Sequence, residues 1–259
     1  MKASYRIVAA KACIRFTLPR HHAAGLPRPD VSAVRTKGSL ITLERLAAAR
    51  SRGAPLVVAQ LGQSLDGRIA TPTGHSHYVN GDAAITLLHH LRAHVDAVVV
   101  GAGTATADNP RLTVRRCEGD SPARVLIDRN RRAGASLKML QDDGTRRIVF
   151  GRRLGEDAPG IEYIEGAGGS PIDPADILAD LSRRGLHRVL VEGGAATVSA
   201  FIAAGVVSRL CVLVAPLIIG SGPVGIGLPP IETLAGALRP KVDVIALEDG
   251  DVVFDCELS

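Results

Sequence analysis

The sequence predicts an α/β fold, with one domain built on a mixed β-sheet flanked by helices. Apolar strands alternate with amphipathic helices from residue 40 onward, which is typical of crossover connections. Several strands run directly into glycine turns. The late strands have no obvious long helix between them, so the sheet is expected to be mixed rather than purely parallel. Neither an internal repeat nor a linker divides this domain.

The first half of the domain is expected to contain two helices and four strands. Leu43, Leu46 and Ala47 give the first helix an apolar face, and Pro55 precedes the first strand. The predicted helices are 40–50 and 81 to about 93, and the predicted strands are 56–61, 96–100, 125–127 and 147–150.

The second half has the clearest helix signals. Asp173 is an N-cap candidate, Pro174 occupies the first helical position, and Gly185 ends the helix. A strand at 188–191 leads into a glycine pair and then a helix of small residues at 195–204. Strands are predicted at 210–219 and 252–258.

Composition narrows the class of protein. Hydrophobic residues make up 46% of the 259 residues, but the apolar runs are too short to cross a bilayer. Aromatic residues make up 3% and Trp is absent, so a nucleic-acid surface based on stacking is not expected. We therefore expect a soluble globular protein of the size of an enzyme, with neither a nucleic-acid nor a membrane partner.

The net charge of +5 comes from residues 1–39. This segment has eight basic residues and the single acid Asp30, or +7, which leaves −2 on residues 40–259. We expect the basic extension to be disordered or to follow a misassigned start codon. Its composition also fits a transit peptide, whereas Lys11 and Arg15 interrupt the apolar run that a secretory signal needs.

The cysteines and histidines indicate reduced thiols and no metal. Cys13, Cys117, Cys211 and Cys256 form no CxxC pair, which favours a cytoplasmic protein, and the apolar run around Cys211 predicts a core position. The histidines lack a recognisable set of partner ligands, so solvated or helix-capping roles are expected for His75, His77, His89, His90 and His94.

Glycine turns are the candidates for cofactor binding. Gly193-Gly194 lies between a strand and a helix, where free N–H groups and the helix dipole favour a pyrophosphate; tight helix packing is the alternative explanation. A literal GxGxxG begins at Gly220, but Pro223, Pro229 and Pro230 prevent the long helix of a Rossmann fingerprint. A classical Rossmann domain is therefore the second-choice fold.

Five segments in order resemble one family. They are QSLDGRIA (63–70), GHSHYV (74–79), LRA (91–93), VGAGTATADNPRLTVR (100–115) and VEGG (191–194). Together they resemble the C-terminal reductase domain of the bacterial riboflavin-biosynthesis RibD family, over about residues 56–258. The basic extension lies outside the resemblance.

This resemblance implies a dihydrofolate-reductase-like fold, NADPH as the cofactor and a homodimer. It also implies reduction of 5-amino-6-(5-phosphoribosylamino)uracil by hydride transfer to the sugar carbon C1′. The chain lacks the zinc-deaminase signature, so it is expected to be a stand-alone reductase. A pterin- or folate-type reductase and a non-catalytic NADPH-binding module remain alternatives, because fold does not fix function.

The resemblance also assigns site residues. Substrate-contacting positions are Ser76, Arg92, Leu112, Arg115 and Glu192, with the two arginines suited to clamp a sugar phosphate and Glu192 a candidate proton donor. Cofactor-contacting positions are Gly62, Tyr78, Thr104, Asp108, Gly194, Ala195, Ala196, Thr197, Val198, Ser199 and Ala200, with Arg129 a candidate for the 2′-phosphate. Asp66 and Gly67 either shape the nicotinamide pocket or form only a turn.

Two departures from the family pattern bear on the substrate. Gln60 stands where members commonly have Lys near the pyrimidine, and Asn109 stands where they have Asp. Loss of a cation beside the base changes the ring that the site prefers. The reductase assignment is therefore expected to be firmer than the choice of pyrimidine.

Overall fold

The computed structural model describes residues 40–77, 79–130, 133–134, 136–152, 158–165 and 173–259. The predicted extension at 1–39 and the predicted cofactor residue Tyr78 lie outside the described residues. No helix within the described ranges is long and apolar enough to cross a membrane.

The described residues form a nine-stranded sheet in the order β5-β4-β3-β2-β6-β1-β7-β9-β8. Its strands are β1 (Leu56–Ser64), β2 (Ala97–Gly101), β3 (Ala123–Ile127), β4 (Arg147–Phe150), β5 (Ile161–Ile164), β6 (Arg188–Glu192), β7 (Arg209–Ala215), β8 (Lys241–Ala246) and β9 (Val252–Glu257). Strands β1 to β7 pair in parallel, and β9 is antiparallel to both β7 and β8. The predicted mixed sheet is confirmed.

Five α-helices of the described ranges cover the two faces of this sheet. They are α1 (Ile41–Arg52), α2 (Asp82–His94), α3 (Ala102–Asp108), α4 (Pro174–Arg183) and α5 (Ala195–Ala203). Leu46, Leu91 and Ala105 bring α1, α2 and α3 into one core cluster. Ile177, Leu181 and Phe201 bring α4 and α5 into the other. The predicted arrangement of helices around one sheet is thus confirmed.

Local signals set the bounds of α4. The Asp173 carboxylate accepts a hydrogen bond from the Ala175 N–H at 2.7 Å, and Pro174 begins the helix. Gly185, just beyond its end, has a φ of 79°, a left-handed conformation that favours glycine. The predicted capping of this helix is confirmed.

The structure differs from the predicted elements at three kinds of place. Strand β7 ends at Ala215, four residues earlier than predicted, because Pro216 follows and the Leu217 N–H turns back to the Ala215 carbonyl. Helix α3 was missed because its small residues carry little apolar periodicity. Strands β5 and β8 were also missed, because each lies at a sheet edge and neither has a fully buried face.

Candidate active site

Two clefts open where four neighbouring parallel strands end. Strands β3, β2, β6 and β1 are adjacent, so the turns that follow them meet at one edge of the sheet. The larger cleft has a volume of about 660 Å³ and the smaller about 310 Å³. Gly103 and Ala196 line both, so the clefts join into one groove.

The Gly193-Gly194 turn is fixed between β6 and α5. Its Gly194 N–H donates to the Thr104 hydroxyl at 2.8 Å, which ties the turn to α3. A side chain at Gly194 would place its Cβ 2.6 Å from that hydroxyl, closer than atoms tolerate. The N–H groups of Ala195 and Ala196 follow in the first turn of α5, where an α-helix leaves its donors unpaired.

Most of the predicted cofactor residues lie along the groove. The larger cleft is lined by Gly62, Thr104, Asp108, Gly194, Ala195 and Ala196, and the smaller by Arg129, Ala196, Thr197 and Ala200. Val198 and Ser199 are different: Val198 is fully buried in the core, and the Ser199 hydroxyl accepts from the Gly227 N–H at 2.9 Å. Helical periodicity turns these two away from the groove that their neighbours line.

The predicted substrate residues divide into two groups. Ser76 lines the larger cleft, and its hydroxyl lies 3.4 Å from an Asp108 carboxylate oxygen. Arg92, Leu112, Arg115 and Glu192 do not appear in the lining of either cleft. They lie beside it, since Glu192 ends β6 immediately before the glycine pair.

Arg92 and Glu192 form a buried, bidentate ion pair. The Arg92 Nε donates to Glu192 Oε1 at 2.6 Å and its Nη2 to Oε2 at 2.7 Å, while Nη1 donates to the Thr113 carbonyl at 3.2 Å. The side chains are only 8% and 5% exposed. Burial alone would lower the pKa of Arg92, but the Glu192 charge and hydrogen bonds raise it. The guanidinium therefore stays charged.

Arg115 belongs to a cluster of positive charge next to this pair. Its guanidinium donates to Thr113, the residue whose carbonyl also accepts from Arg92. Burial lowers the pKa of Arg115, and the nearby charges of Arg92, Arg111 and Arg116 lower it further. Charges crowded in this way favour an anion among them.

His89 was expected to be solvated or capping, and that expectation is wrong. Its side chain is 1% exposed, and its Nδ1 accepts from the Arg115 N–H at 2.9 Å. Burial lowers the pKa of His89 to about 4, with further contributions from the Arg92, Arg115 and Arg116 charges. The sequence signal for a buried His89 that accepts from Arg115 was its position one turn before Arg92 on α2.

Asp66 serves as a latch between two loops. Its carboxylate accepts from the Ser64 hydroxyl at 2.6 Å, from the Ile219 N–H at 3.1 Å and from the Gly220 N–H at 2.8 Å. These hydrogen bonds lower its pKa to about 2. Asp66 and Gly67 are not in the lining of either cleft, so the structure favours the turn role for them.

Asn80 and Asp251 hold one wall of the larger cleft and were not predicted. The Asn80 amide donates to the Leu213 carbonyl at 3.3 Å and to Asp251 at 3.2 Å, and the Gly81 N–H donates to the same carboxylate at 2.7 Å. A Cβ on Gly62 would overlap Asn80. Only folding brings Asp251 to residues that lie some 170 positions earlier.

The remaining expectations concern metal and cysteine. Among the described residues, no group of three or more His, Cys, Asp or Glu side chains is placed to hold a metal ion. Cys211 is fully buried in the core, as predicted, and burial raises its pKa to about 12. It therefore stays a thiol.

Comparisons with known sequences identify the family of this chain. The model of the RibD C-terminal domain matches residues 55–249. A 2,5-diamino-6-ribosylamino-4(3H)-pyrimidinone 5′-phosphate reductase from Methanothermobacter thermautotrophicus is 33% identical over 174 residues, or 64% of this chain and 80% of that protein. The riboflavin biosynthesis protein RibD of Corynebacterium ammoniagenes is 34% identical over 187 residues, 71% of this chain and 49% of that protein. The chain thus spans about half the length of this RibD relative.

A solved structure agrees with the sequence matches. Acinetobacter baumannii RibD aligns with a TM-score of 0.71 and 32% identity, over 82% of this chain and 60% of that one. The predicted resemblance is confirmed, and this chain belongs to the RibD C-terminal domain family, the family of the pyrimidine reductases of riboflavin biosynthesis.

Proposed function

We propose that this chain is an NADPH-dependent reductase that acts on a phosphoribosylamino-pyrimidine of riboflavin biosynthesis. The observation that carries the proposal is the continuous groove, which has a glycine turn and the start of α5 at its centre. Two phosphoribosylamino-pyrimidines are candidate substrates. One is the uracil compound that the sequence resemblance implies, and the other is the 2,5-diaminopyrimidinone in the name of the Methanothermobacter relative.

The part of the groove that both clefts share is suited to a dinucleotide. Gly103 and Ala196 line both clefts, and a Cβ on Gly103 would meet no protein atom within 4 Å, which leaves room for a ligand there. The N–H groups of Ala195 and Ala196 are suited to hold a pyrophosphate. Arg129 in the smaller cleft is suited to the 2′-phosphate that distinguishes NADPH from NADH. When bound, NADPH supplies the hydride.

The arginine cluster is proposed to receive the substrate phosphate. Burial first, and then the charges of Arg92, Arg111 and Arg116, lower the pKa of Arg115, and a dianion would relieve the repulsion among these charges. Arg92 already donates to Glu192 and Thr113, so we assign the phosphate chiefly to Arg115 and a positioning role to Arg92. The residues of the groove would then hold donor and acceptor atoms roughly 3–3.5 Å apart.

Glu192 is a candidate for the group that donates a proton during the reduction. Reduction adds one proton as well as one hydride, and Glu192 is the candidate that the family resemblance suggests. Because both of its oxygens accept from Arg92, we instead expect Glu192 to orient the arginine. Glu192→Gln should raise KM more than it lowers kcat and leave the pH profile of kcat unchanged; loss of the acidic or basic limb of that profile would restore the proton-donor role.

The direct test of function is NADPH oxidation by the purified chain. Both phosphoribosylamino-pyrimidines and a dihydropterin are compared, with NADH in place of NADPH as the control. Turnover that requires the sugar phosphate supports the proposal. Turnover of the dihydropterin would favour a pterin-type reductase, and NADPH binding without turnover would favour a binding module.

Arg129 provides a cofactor-specific test. Arg129→Ala should raise KM for NADPH by roughly tenfold, the loss of one charge-assisted hydrogen bond, and leave KM for NADH nearly unchanged. Arg45→Ala is the matched control, since Arg45 is exposed on α1. An equal rise in KM for NADPH and for NADH would show that Arg129 does not bind the 2′-phosphate.

We also propose a homodimer formed through the edge of the sheet. Val242 and Val244 on β8 and Phe254 on β9 are 44%, 46% and 37% exposed, although they are apolar. An edge strand with exposed apolar residues is a ready site for pairing. Light scattering should give twice the chain mass, and Val244→Lys should give the monomer; a monomeric unmodified chain would contradict the proposal. Cytoplasmic location stays a prediction, to be tested by cell fractionation.

A further inference from the structure

The arginine loop, residues 109–122, joins α3 to β3 and carries Arg111, Arg115 and Arg116. Within it Leu112 has a φ of 57°, a left-handed conformation that a bulky side chain rarely adopts, and is only 2% exposed. Such a backbone persists only where contacts with the rest of the protein hold it in place. The position of Arg115 therefore depends on those contacts.

Helix α2 holds the arginine loop at two points. The Arg92 Nη1 donates to the Thr113 carbonyl at 3.2 Å. The Arg115 N–H donates to the His89 Nδ1 at 2.9 Å. Because His89 and Arg92 are three residues apart, they lie on the same face of α2. The two hydrogen bonds thus fix the backbone on both sides of Val114, directly before the Arg115 side chain.

The hydrogen bond from Arg115 requires an unprotonated Nδ1 on His89. A backbone N–H can only donate, whereas an imidazolium has a donor on both ring nitrogens and could not accept. Burial, and then the charges of Arg92, Arg115 and Arg116, lower the pKa of His89 to about 4. At neutral pH the buried ring is therefore an uncharged acceptor.

An uncharged acceptor leaves the positive charge of the arginine cluster intact. A carboxylate at position 89 could also accept from the Arg115 N–H, but its charge would compete with a phosphate for the same guanidinium groups. An apolar side chain would leave the N–H without this partner. The imidazole of His89 avoids both effects.

We propose that His89 is a positioning residue for the substrate phosphate: it fixes the Arg115 backbone so that the guanidinium is held in place to bind the anion. His89 acts through Arg115, since it is not in the lining of either cleft. Ligand-binding groups work best when neighbouring side chains hold them in the productive geometry. This inference rests on the proposed function, in which Arg115 receives the phosphate.

The test compares a substrate with and without its phosphate. KM and kcat are measured for 5-amino-6-(5-phosphoribosylamino)uracil and for the same compound without the phosphate group. His89→Leu removes the acceptor, so KM for the phosphorylated compound should rise about tenfold. KM for the dephosphorylated compound and kcat for both should change by less than about twofold, because the phosphate contact contributes to neither. An equal rise in both KM values would overturn the inference.

Two variants serve as controls. His89→Gln keeps an uncharged acceptor, so KM for the phosphorylated compound should stay within about threefold of the value for the unmodified chain. His90→Leu makes the same change as His89→Leu at the next residue of α2, whose carbonyl accepts from His94 within the helix, and should leave both KM values unchanged. A tenfold rise in His89→Gln would show that the acceptor is not what matters, and so would rule the inference out.

Hydrogen exchange at the Arg115 amide checks the contact directly. Exchange should be faster in His89→Leu than in His89→Gln, because only the former lacks an acceptor. If thermal unfolding shows that His89→Leu does not fold, the unmodified chain decides. The phosphorylated compound should then slow exchange at the Arg115 amide more than the dephosphorylated compound does, since coupling between the anion and the loop is reciprocal. Equal exchange with both compounds would contradict the inference.

A binding measurement separates this inference from the proposed function. If neither compound is reduced, the reductase proposal fails, but calorimetric Kd values for the two compounds still test His89 in the same variants. A Kd for the phosphorylated compound that rises about tenfold in His89→Leu and not in His89→Gln supports the inference. Equal Kd values in the unmodified chain and both variants overturn it, even if the chain is an active reductase.

Discussion

His89 is a buried histidine whose charge the surrounding arginines oppose. Its pKa is about 4 in the folded chain against an ordinary 6.5, with burial the first cause and Arg92, Arg115 and Arg116 the next. Between these values the unfolded chain binds a proton that the folded chain does not. The stabilising contribution is therefore complete above pH 6.5 and is lost as the pH falls toward 4.

The first prediction concerns this loss. The free energy of unfolding, measured by urea titration, should fall between pH 6.5 and 4 by up to about 3 kcal/mol because of His89. His89→Gln keeps an acceptor for the Arg115 N–H without the titration, so its decline should be smaller by that amount. His75→Gln, in an exposed loop, should decline like the unmodified chain. Parallel curves for all three proteins would show that His89 does not titrate in this way.

At the scale of elements, Asp66 joins the turn after β1 to the loop after β7. The Ile219 and Gly220 N–H groups both donate to its carboxylate, and Gly222 lies so close to the Ala70 carbonyl that a Cβ would overlap it. Backbone hydrogen bonds also join the two loops, from the Ile69 N–H to the Pro223 carbonyl and from the Gly225 N–H to the Gly67 carbonyl, and the Asp66 carboxylate adds two more.

The second prediction follows from this latch. Asp66→Ala should speed hydrogen exchange at the Ile219 and Gly220 amides, because both lose their acceptor. Lowering the pH through about 2 should have the same effect on the unmodified chain, since protonation weakens the carboxylate as an acceptor. Asp82→Ala, at the exposed start of α2, is the control and should leave both amides unchanged. Unchanged exchange at these two amides in Asp66→Ala would show that Asp66 does not hold the two loops together.

At the scale of the whole molecule, a buried charge cluster fastens α1 to the antiparallel end of the sheet. Arg209 of β7 donates to Asp255 of β9 at 2.7 Å, and the Asp255 carboxylate accepts from the Thr42 N–H at 2.9 Å and hydroxyl at 2.6 Å. Asp255 and Thr42 are fully buried and Arg209 is 4% exposed. Removing either Arg209 or Asp255 leaves the other charge in the core without this partner.

The third prediction concerns the free energy of unfolding that is lost when this buried ion pair is broken. Asp255→Ala should lower the free energy of unfolding by about 3–5 kcal/mol in urea, because the Arg209 charge loses its buried partner and keeps only the more distant, partly exposed Glu257 at 4.0 Å. The double variant Arg209→Met, Asp255→Leu should recover much of the loss, since no charge remains buried. Asp82→Ala breaks an exposed pair with Arg116 and should cost about 1 kcal/mol or less. A double variant as unstable as Asp255→Ala would assign the cost to packing.

The sequence by itself determined the features that local chemistry sets. The Asp173 and Pro174 cap, the glycine-ended helices, the alternation of strand and helix and the glycine pair before α5 were all readable from neighbouring residues. Only the tertiary structure decided the rest, because it depends on contacts between distant residues. His89 accepts from the Arg115 N–H, Asp251 accepts from Asn80, and Gln60 lies opposite Glu192 through strand register. No local pattern records such pairings.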